Sequence, residues 1–156
     1  MTIAALLRPE CVRVRVRCHT KAELLDLLLD LVAGHPAVVD PAEVRRAVLD
    51  REAIMSTGVG KGLAIPHGKT HGVTDNVAAA ATLAEPVEYE ALDGQPVQIA
   101  FLLVGPENQI SQHIKLLSRL SRLMNHASFR QRLLDAQSPE ELCAIFAQEE
   151  ELYFRL

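Results

Sequence analysis

Hydrophobic and polar residues alternate strictly over Val12-Arg13-Val14-Arg15-Val16-Arg17, which predicts a half-buried strand with valines inward and arginines in solvent. The period then lengthens. Leu24, Leu25, Leu27, Leu28, Leu31 and Val32 recur at helical spacing behind Thr20-x-x-Glu23, a capping-box pattern, and Gly34 with Pro36 ends that helix. Asp40-Pro41-Ala42-Glu43 opens a second helix, with Asp40 as cap and Pro41 in the first turn. Its buried face takes Val44, Ala47 and Val48 and is continued by Ile54 and Met55. Short strands follow at 62–65, 77–84 and 97–104. The last is nearly all apolar and therefore belongs in the middle of a sheet. Pro86, Asp93-Gly94 and Gly105-Pro106 separate them. Ile114, Leu116, Leu117, Leu120, Leu123 and Met124 predict a helix over 110–124, and Ser128-x-x-Gln131 and Ser138-x-x-Glu141 open two more. Residues 149–156 read as a frayed tail.

Helices and strands interleave without repeat, low-complexity tract or dividing linker, so the pattern gives one α/β domain over residues 1–156, with helices on both sides of a small sheet. At this length about two-thirds of the unfolded surface can be buried, and a hydrophobic content of 49% supports a core of that size. The net charge of −4 argues against nonspecific DNA binding, and 4% aromatic residues offer little stacking surface for single strands. There is no apolar run long enough to span a membrane and no signal-peptide pattern at the start. Cys11, Cys18 and Cys143 form an odd set without a C-x-x-C pair, as suits a reducing compartment. A cytoplasmic protein is expected.

The chemistry concentrates in Ser56-Thr57-Gly58-Val59-Gly60-Lys61-Gly62-Leu63-Ala64-Ile65-Pro66-His67-Gly68-Lys69-Thr70. Alternating glycines lead into an apolar triplet that stops at Pro66 and delivers His67 on a rigidly placed turn. The stretch fails as a P-loop, because no glycine stands four residues before Gly68-Lys69-Thr70 with the required spacing, and G-x-G-x-G is not the dinucleotide fingerprint. His67 and His71 are four apart, a metal-ligand spacing on a helix, but Gly68 and Gly72 oppose a helix and no H-E-x-x-H glutamate is present. Neither a nucleotide cofactor nor a metal is expected. His19, His35 and His126 lie beside caps and helix ends, where exposure is the ordinary outcome. A histidine, by contrast, is half neutral near its ordinary pKa of about 6.5 and can attack phosphorus through one ring nitrogen.

The segment Ser56-Thr57-Gly58-Val59-Gly60 followed by Gly62-Leu63-Ala64-Ile65-Pro66-His67-Gly68-Lys69 resembles the enzyme IIA domain of the bacterial phosphoenolpyruvate-dependent sugar phosphotransferase system, type 2, the fructose, mannitol and nitrogen-regulatory branch. Leu92-Asp93-Gly94-Gln95-Pro96-Val97, His113-Ile114-Lys115-Leu116-Leu117 and Phe129-Arg130-Gln131-Arg132-Leu133-Leu134 extend the likeness to about residues 5–148. Lys61 departs from it, standing where many relatives have Asn or Glu. The resemblance implies a three-layer α/β/α sandwich around a small mixed β-sheet. It also implies a cytoplasmic phosphocarrier, a phosphotransferase with a phosphohistidine intermediate and no cofactor. His67 would accept a phosphoryl group on Nε2 from the phosphorylated histidine-containing phosphocarrier protein, with Nδ1 donating to a nearby acceptor, and would pass the group to enzyme IIB.

In the same resemblance His113 stabilises the phosphoryl group from the start of its helix, where free N–H groups favour an anion, and Arg51 supplies positive charge, with Arg46 as the competing choice. Ser56, Thr57 and Lys69 are weaker candidates for contacts to phosphate or for orienting the loop. Leu63 and Ile65 are expected as a partly exposed docking patch for small, transient encounters. The chain reads as free-standing and not fused to a transporter. Leu92-Asp93-Gly94-Gln95-Pro96 leans to the fructose type; the alternative is a nitrogen-regulatory enzyme IIA acting by phosphorylation-dependent binding to regulatory partners. A noncatalytic anion-transport-type module of the same fold would lack the active histidine, and His67 with His113 speaks against it.

Overall fold

A computed structural model describes residues 1–154 of the chain. In chain order the elements are α1 (Ile3–Leu6), a 3-10 turn at Pro9–Cys11, β1 (Val12–Val16), α2 (Lys21–Ala33), α3 (Pro41–Ile54), β2 (Gly58–Gly60), β3 (Leu63–Ala64), β4 (His67–Thr70), β5 (Val77–Val87), β6 (Val97–Pro106), α4 (Ile110–Met124), α5 (Ala127–Asp135) and α6 (Pro139–Phe154). The expected caps form at three of these helices: Thr20 Oγ1 accepts from Glu23 N at 3.1 Å, Asp40 Oδ1 from Glu43 N at 3.2 Å, and Ser138 Oγ from Glu141 N at 3.1 Å. The fourth does not. α5 already begins at Ala127 behind His126, with no side-chain cap, so Ser128 lies inside the first turn.

The sheet runs β1-β5-β6-β3-β2, and β4 also pairs with β6. β5 and β6 are antiparallel, whereas β1 on β5 and β3 and β4 on β6 are parallel, so the sheet is mixed. β3 and β4 are two pieces of one line. The partners Leu63↔Ile99 and Ala64↔Ala100 continue in the same register as His67↔Leu103 and Gly68↔Val104. The ladder is interrupted at Ile65-Pro66 because proline has no N–H to give, although the Pro66 carbonyl still accepts from Leu103 N at 3.1 Å. The glycine segment, expected mostly as a loop, is thereby drawn into strands.

Alternation along β5 and β6 feeds two cores. Ala78, Ala80, Ile99, Phe101 and Leu103 face Leu116, Leu120, Phe129 and Phe146 of α4–α6, while Ala79, Ala81, Leu102 and Val104 face Leu24, Leu28, Val44 and Val48 of α2 and α3. Helices therefore cover both faces, giving the α/β/α sandwich. β1 obeys its own alternation only in part. Val12 and Val14 pack on the first core, but Arg15 sits at φ +53° in a bulge and turns Val16 to the second.

Two ends also differ from the pattern. Ile54 and Met55 are exposed, because α3 stops at Ile54 and its inward stripe is taken over by Glu52, one turn beyond Val48. The tail is helical through Phe154, with Glu149 and Glu150 buried; residues 155–156 lie outside the described part. Glu150 accepts from Ile3 N and Ala4 N, both at 2.7 Å, and pairs with Arg119 at 3.0 Å. A carboxylate from the last helix thus satisfies the open N–H groups of the first. Among the described residues no helix is long and apolar enough to cross a membrane.

Candidate functional site

Among the described strands β4 pairs with β6 alone, and α3 and α4 both contribute residues beside it. Between them lies a cleft of about 480 Å³ lined by Arg51 and Ile54 of α3, His67 and Lys69 of β4, and His113 and Ile114 of α4, among others. Two backbone devices build it. A Cβ on Gly68 would lie 3.4 Å from the Ala47 carbonyl carbon and the Val48 nitrogen, so glycine there lets α3 rest on β4 and carries Arg51 to the cleft. In the turn before β3, Gly60, Lys61 and Gly62 take φ values of +102°, +60° and +76°. Lys61, the one non-glycine of the three, is held by its N–H donating to Asp93 Oδ2 at 3.0 Å. The segment around Asp93 therefore anchors the turn that leads to His67.

His67 opens β4, half-buried, and its Nδ1 lies 2.8 Å from the Ile65 carbonyl oxygen. A carbonyl can only accept, so Nδ1 carries the proton and the neutral ring leaves Nε2 unprotonated. Pro66 makes this contact possible by holding Ile65 extended. Burial lowers the His67 pKa; the Ile65 carbonyl works against the shift and the Arg51 charge works with it. The ring is a neutral base at physiological pH.

His113 stands 5.9 Å from His67 between ring centroids, with the planes at 46°. It is buried, and among the described residues neither of its ring nitrogens has a hydrogen-bond partner. Burial, then the nearby His67 and Lys69, push its pKa down to about 4. The expected helix-start cradle is not what holds it. The His113 N–H is already bonded to the Gln109 carbonyl at 3.1 Å, and Ser111 and Gln112 face a separate hollow with Met1, Lys115 and Arg119. It is the ring of His113 that meets the cleft.

Both arginine candidates line the cleft, but they differ in charge balance. Arg46 donates to Glu43 and, at 2.7 Å, to Asp50. Arg51 donates to the Met55 carbonyl at 2.9 Å, and no carboxylate among the described residues pairs with it. Lys69 shares the β4 face of His67. Thr57 and Ser56 have structural partners instead: Ser56 Oγ donates to the Tyr89 carbonyl at 3.2 Å, while Thr57 gives its N–H (2.7 Å) and its hydroxyl to the buried carboxylate of Glu52. Tyr89 Oη (3.1 Å) and Lys21 Nζ (3.0 Å) complete the shell of Glu52. Burial alone would raise the Glu52 pKa, but the hydrogen bonds from Thr57 and Lys21 outweigh it and the carboxyl is held below its usual range.

The proposed docking patch is corrected. Leu63 and Ile65 are each 4% exposed, because both face the α4 side of the sheet beneath Met124 and Leu116; the apolar residues exposed at the cleft are Ile54 (81%) and Ile114 (59%). His71 lies in the open near Glu107, and His19, His35 and His126 partner Glu23, the Ala37 N–H and the Tyr153 ring, away from the cleft. Sequence reasoning missed Glu52, Asn76 and Gly105. Only Glu52 left a trace, a charge at the i+4 position of an apolar stripe. A Cβ on Gly105 would lie 2.5 Å from Asn76 Oδ1 and 3.2 Å from His113 Nδ1. Gly105→Ala is therefore expected to displace both side chains and cost about 2 kcal/mol, read as a lowered denaturation midpoint; an unchanged midpoint would mean the neighbours yield freely.

Residues 5–149 match the family described as "Phosphoenolpyruvate-dependent sugar phosphotransferase system, EIIA 2". The chain is similar to the nitrogen regulatory protein of Escherichia coli K12, 36% identical over 151 residues that cover 96% of this chain and 92% of that one. It is 32% identical over 148 residues to the PTS system fructose-specific EIIABC component of Bacillus subtilis, covering 95% of this chain but 23% of that larger protein. Among solved structures, the nitrogen regulatory protein IIA-Ntr of Neisseria meningitidis superposes with a TM-score of 0.86 at 33% identity, covering 92% of this chain and 98% of that one. With the cleft, its paired histidines and a match along nearly the whole chain in agreement, the protein belongs to the EIIA type-2 family of the phosphoenolpyruvate-dependent sugar phosphotransferase system.

Proposed function

We propose that the chain is a phosphocarrier in which His67 Nε2 accepts a phosphoryl group from the phosphorylated histidine-containing phosphocarrier protein and delivers it to an enzyme IIB. The observation that carries this is the commitment of Nδ1 to the Ile65 carbonyl, which leaves Nε2 as the one lone pair of a neutral, half-buried ring. In loading, that lone pair attacks phosphorus as the donor's P–N bond breaks. In discharge, the new N–P bond breaks toward the acceptor's nucleophile and His67 returns to its neutral form. Arg51 and Lys69 offset the charge on the equatorial oxygens of a loose transition state. The exposed Ile54 and Ile114 give both partners an apolar rim to meet in turn. Phosphotransfer from phosphoenolpyruvate through purified general components tests the reading. An acid-labile mass gain of about 80 Da is expected, and its absence would refute the proposal.

His113→Ala is expected to load at His67 yet discharge to enzyme IIB about a hundredfold more slowly, since a neighbouring donor helps most where charge develops on the departing group. Equal rates in both half-reactions across several pH values would place His113 in the scaffold.

A second reading is supported by likeness to the nitrogen regulatory protein of Escherichia coli K12, 36% identical over 151 residues. In that reading the phosphoryl group on His67 switches binding to regulatory partners instead of feeding sugar uptake. Loading without discharge to a fructose-type enzyme IIB would favour it; prompt discharge would favour the sugar branch.

A further inference from the structure

Among the described residues, the buried side-chain atoms left without a hydrogen bond are Asn76 Oδ1, both ring nitrogens of His113, and Arg119 Nε, the last of which faces the Glu150 carboxylate at 3.0 Å. Two of the other three, Asn76 Oδ1 and His113 Nδ1, lie against one residue, Gly105. In the sheet Lys69 pairs with Gly105, and Asn76, one residue before the Val77↔Val104 pair, lies beside Gly105 on the opposite flank of β6. The bare face of Gly105 admits both Asn76 Oδ1 and His113 Nδ1 to the same point. The amide is oriented from its far side, where Asn76 Nδ2 donates to Gln112 Oε1 at 2.8 Å, which leaves Oδ1 on the Gly105 side. Two orphaned atoms of complementary capacity thus flank a gap that only a glycine leaves open, and a buried polar group without a partner costs about 1–3 kcal/mol.

We propose that Asn76 is a positioning residue for His113: a small turn of either side chain across the Gly105 gap lets Oδ1, unbonded in the structure, accept the Nδ1–H of His113 and select the tautomer that leaves Nε2 for the phosphoryl group on His67. The inference rests on the phosphocarrier reading above. In the empty site His113 is neutral, with the cations Lys69 and Arg51 and the His67 ring in or beside the same cleft. When His67 carries a phosphoryl dianion, His113 Nε2 takes a proton from solvent and donates it to a phosphoryl oxygen, while Nδ1–H stays on the amide. Discharge removes the dianion, and the Nε2 proton returns to solvent. A carboxylate at position 76 would hold the imidazolium permanently. A neutral amide fixes the ring and lets the charge come and go with the cargo.

The test uses the full-length unphosphorylated protein with 15N-labelled histidine. Long-range proton–nitrogen correlation spectra should place the His113 proton on Nδ1. Asn76→Leu, which removes the acceptor at similar volume, should abolish that preference and slow discharge about tenfold while loading is unchanged. Asn76→Asp should keep the Nδ1–H tautomer and raise the pH at which His113 titrates. A wild-type proton on Nε2, or an Asn76→Leu variant with unchanged tautomer and discharge, overturns the proposal. If Asn76→Leu does not fold, the tautomer and titration of Asn76→Asp decide; an unmoved titration there also overturns it. Failure of the wild type to load at His67 would refute the phosphocarrier reading, and the tautomer comparison would still judge Asn76.

Discussion

His67→Ala is expected to take up no phosphoryl group at all while melting within a few degrees of the parent protein. The loss is complete because Nε2 of His67 is the proposed nucleophile, and the ring of His113 is too buried to replace it. The fold survives because the backbone of β4, not the ring, makes the pairing with β6. The ring's one hydrogen bond, to the Ile65 carbonyl, contributes about 1 kcal/mol, worth about 2–4 °C in a domain of this size. Intact mass after incubation with phosphoenolpyruvate and the general components, with thermal melting alongside, checks both halves. Stoichiometric labelling of the variant at another histidine would sink the assignment.

Glu52→Ala is expected to be the most destabilising single change near the site, by about 3–5 kcal/mol, because removing one member of a buried charged pair strands its partners. Lys21 loses its counter-ion, the Thr57 N–H and hydroxyl lose their acceptor, and so does Tyr89. The sign of the pH dependence follows from the lowered native pKa of Glu52. The unfolded chain binds this proton more tightly, so the stabilisation is complete above the unfolded carboxyl pKa of about 4.3 and is lost as pH falls through the lower native value. Melting curves should therefore separate wild type from Glu52→Ala widely at neutral pH and draw together in acid. A constant gap from neutral to acid pH would show that packing, not the carboxylate, was removed.

The two variants probe different depths of legibility. His67 was conspicuous in the chain, since glycines, a proline and a lone histidine in fixed order have no use in an ordinary core. Glu52 was nearly invisible, because a glutamate on a helix is an everyday surface residue until one sees that Val44 and Val48 precede it on the same stripe. The helices were legible where a side-chain cap and an apolar stripe coincided, as in α2 and α3. They were less so at α5, where Ser128 offered a cap that the backbone did not use.

The strands show the same division. β6 could be placed in the sheet centre from its apolar run alone, since a strand covered on both faces has no polar side to reveal. The short pieces β2, β3 and β4 could not, because two to four residues carry no measurable period, and their pairing is set by long-range register with β6. β1 announced one buried face and delivered two, the bulge at Arg15 being a property of its fit to β5 and Thr82.

By itself the sequence determined the types of the longer elements, the two-sided burial of the sheet and the candidate reactive histidine, because these depend on local period, chain stiffness and intrinsic pKa. Tertiary structure alone decided the rest: that His67 is the neutral Nδ1–H tautomer, that among the described residues Arg51 is without a carboxylate while Arg46 is neutralised, that Leu63 and Ile65 are core while Ile54 and Ile114 form the rim, and that Asn76 and His113 both lie against Gly105. Each of these depends on which atoms stand within a few ångströms across the fold. Hydrogen bonds, desolvation and charge act at that range, whatever the separation along the chain.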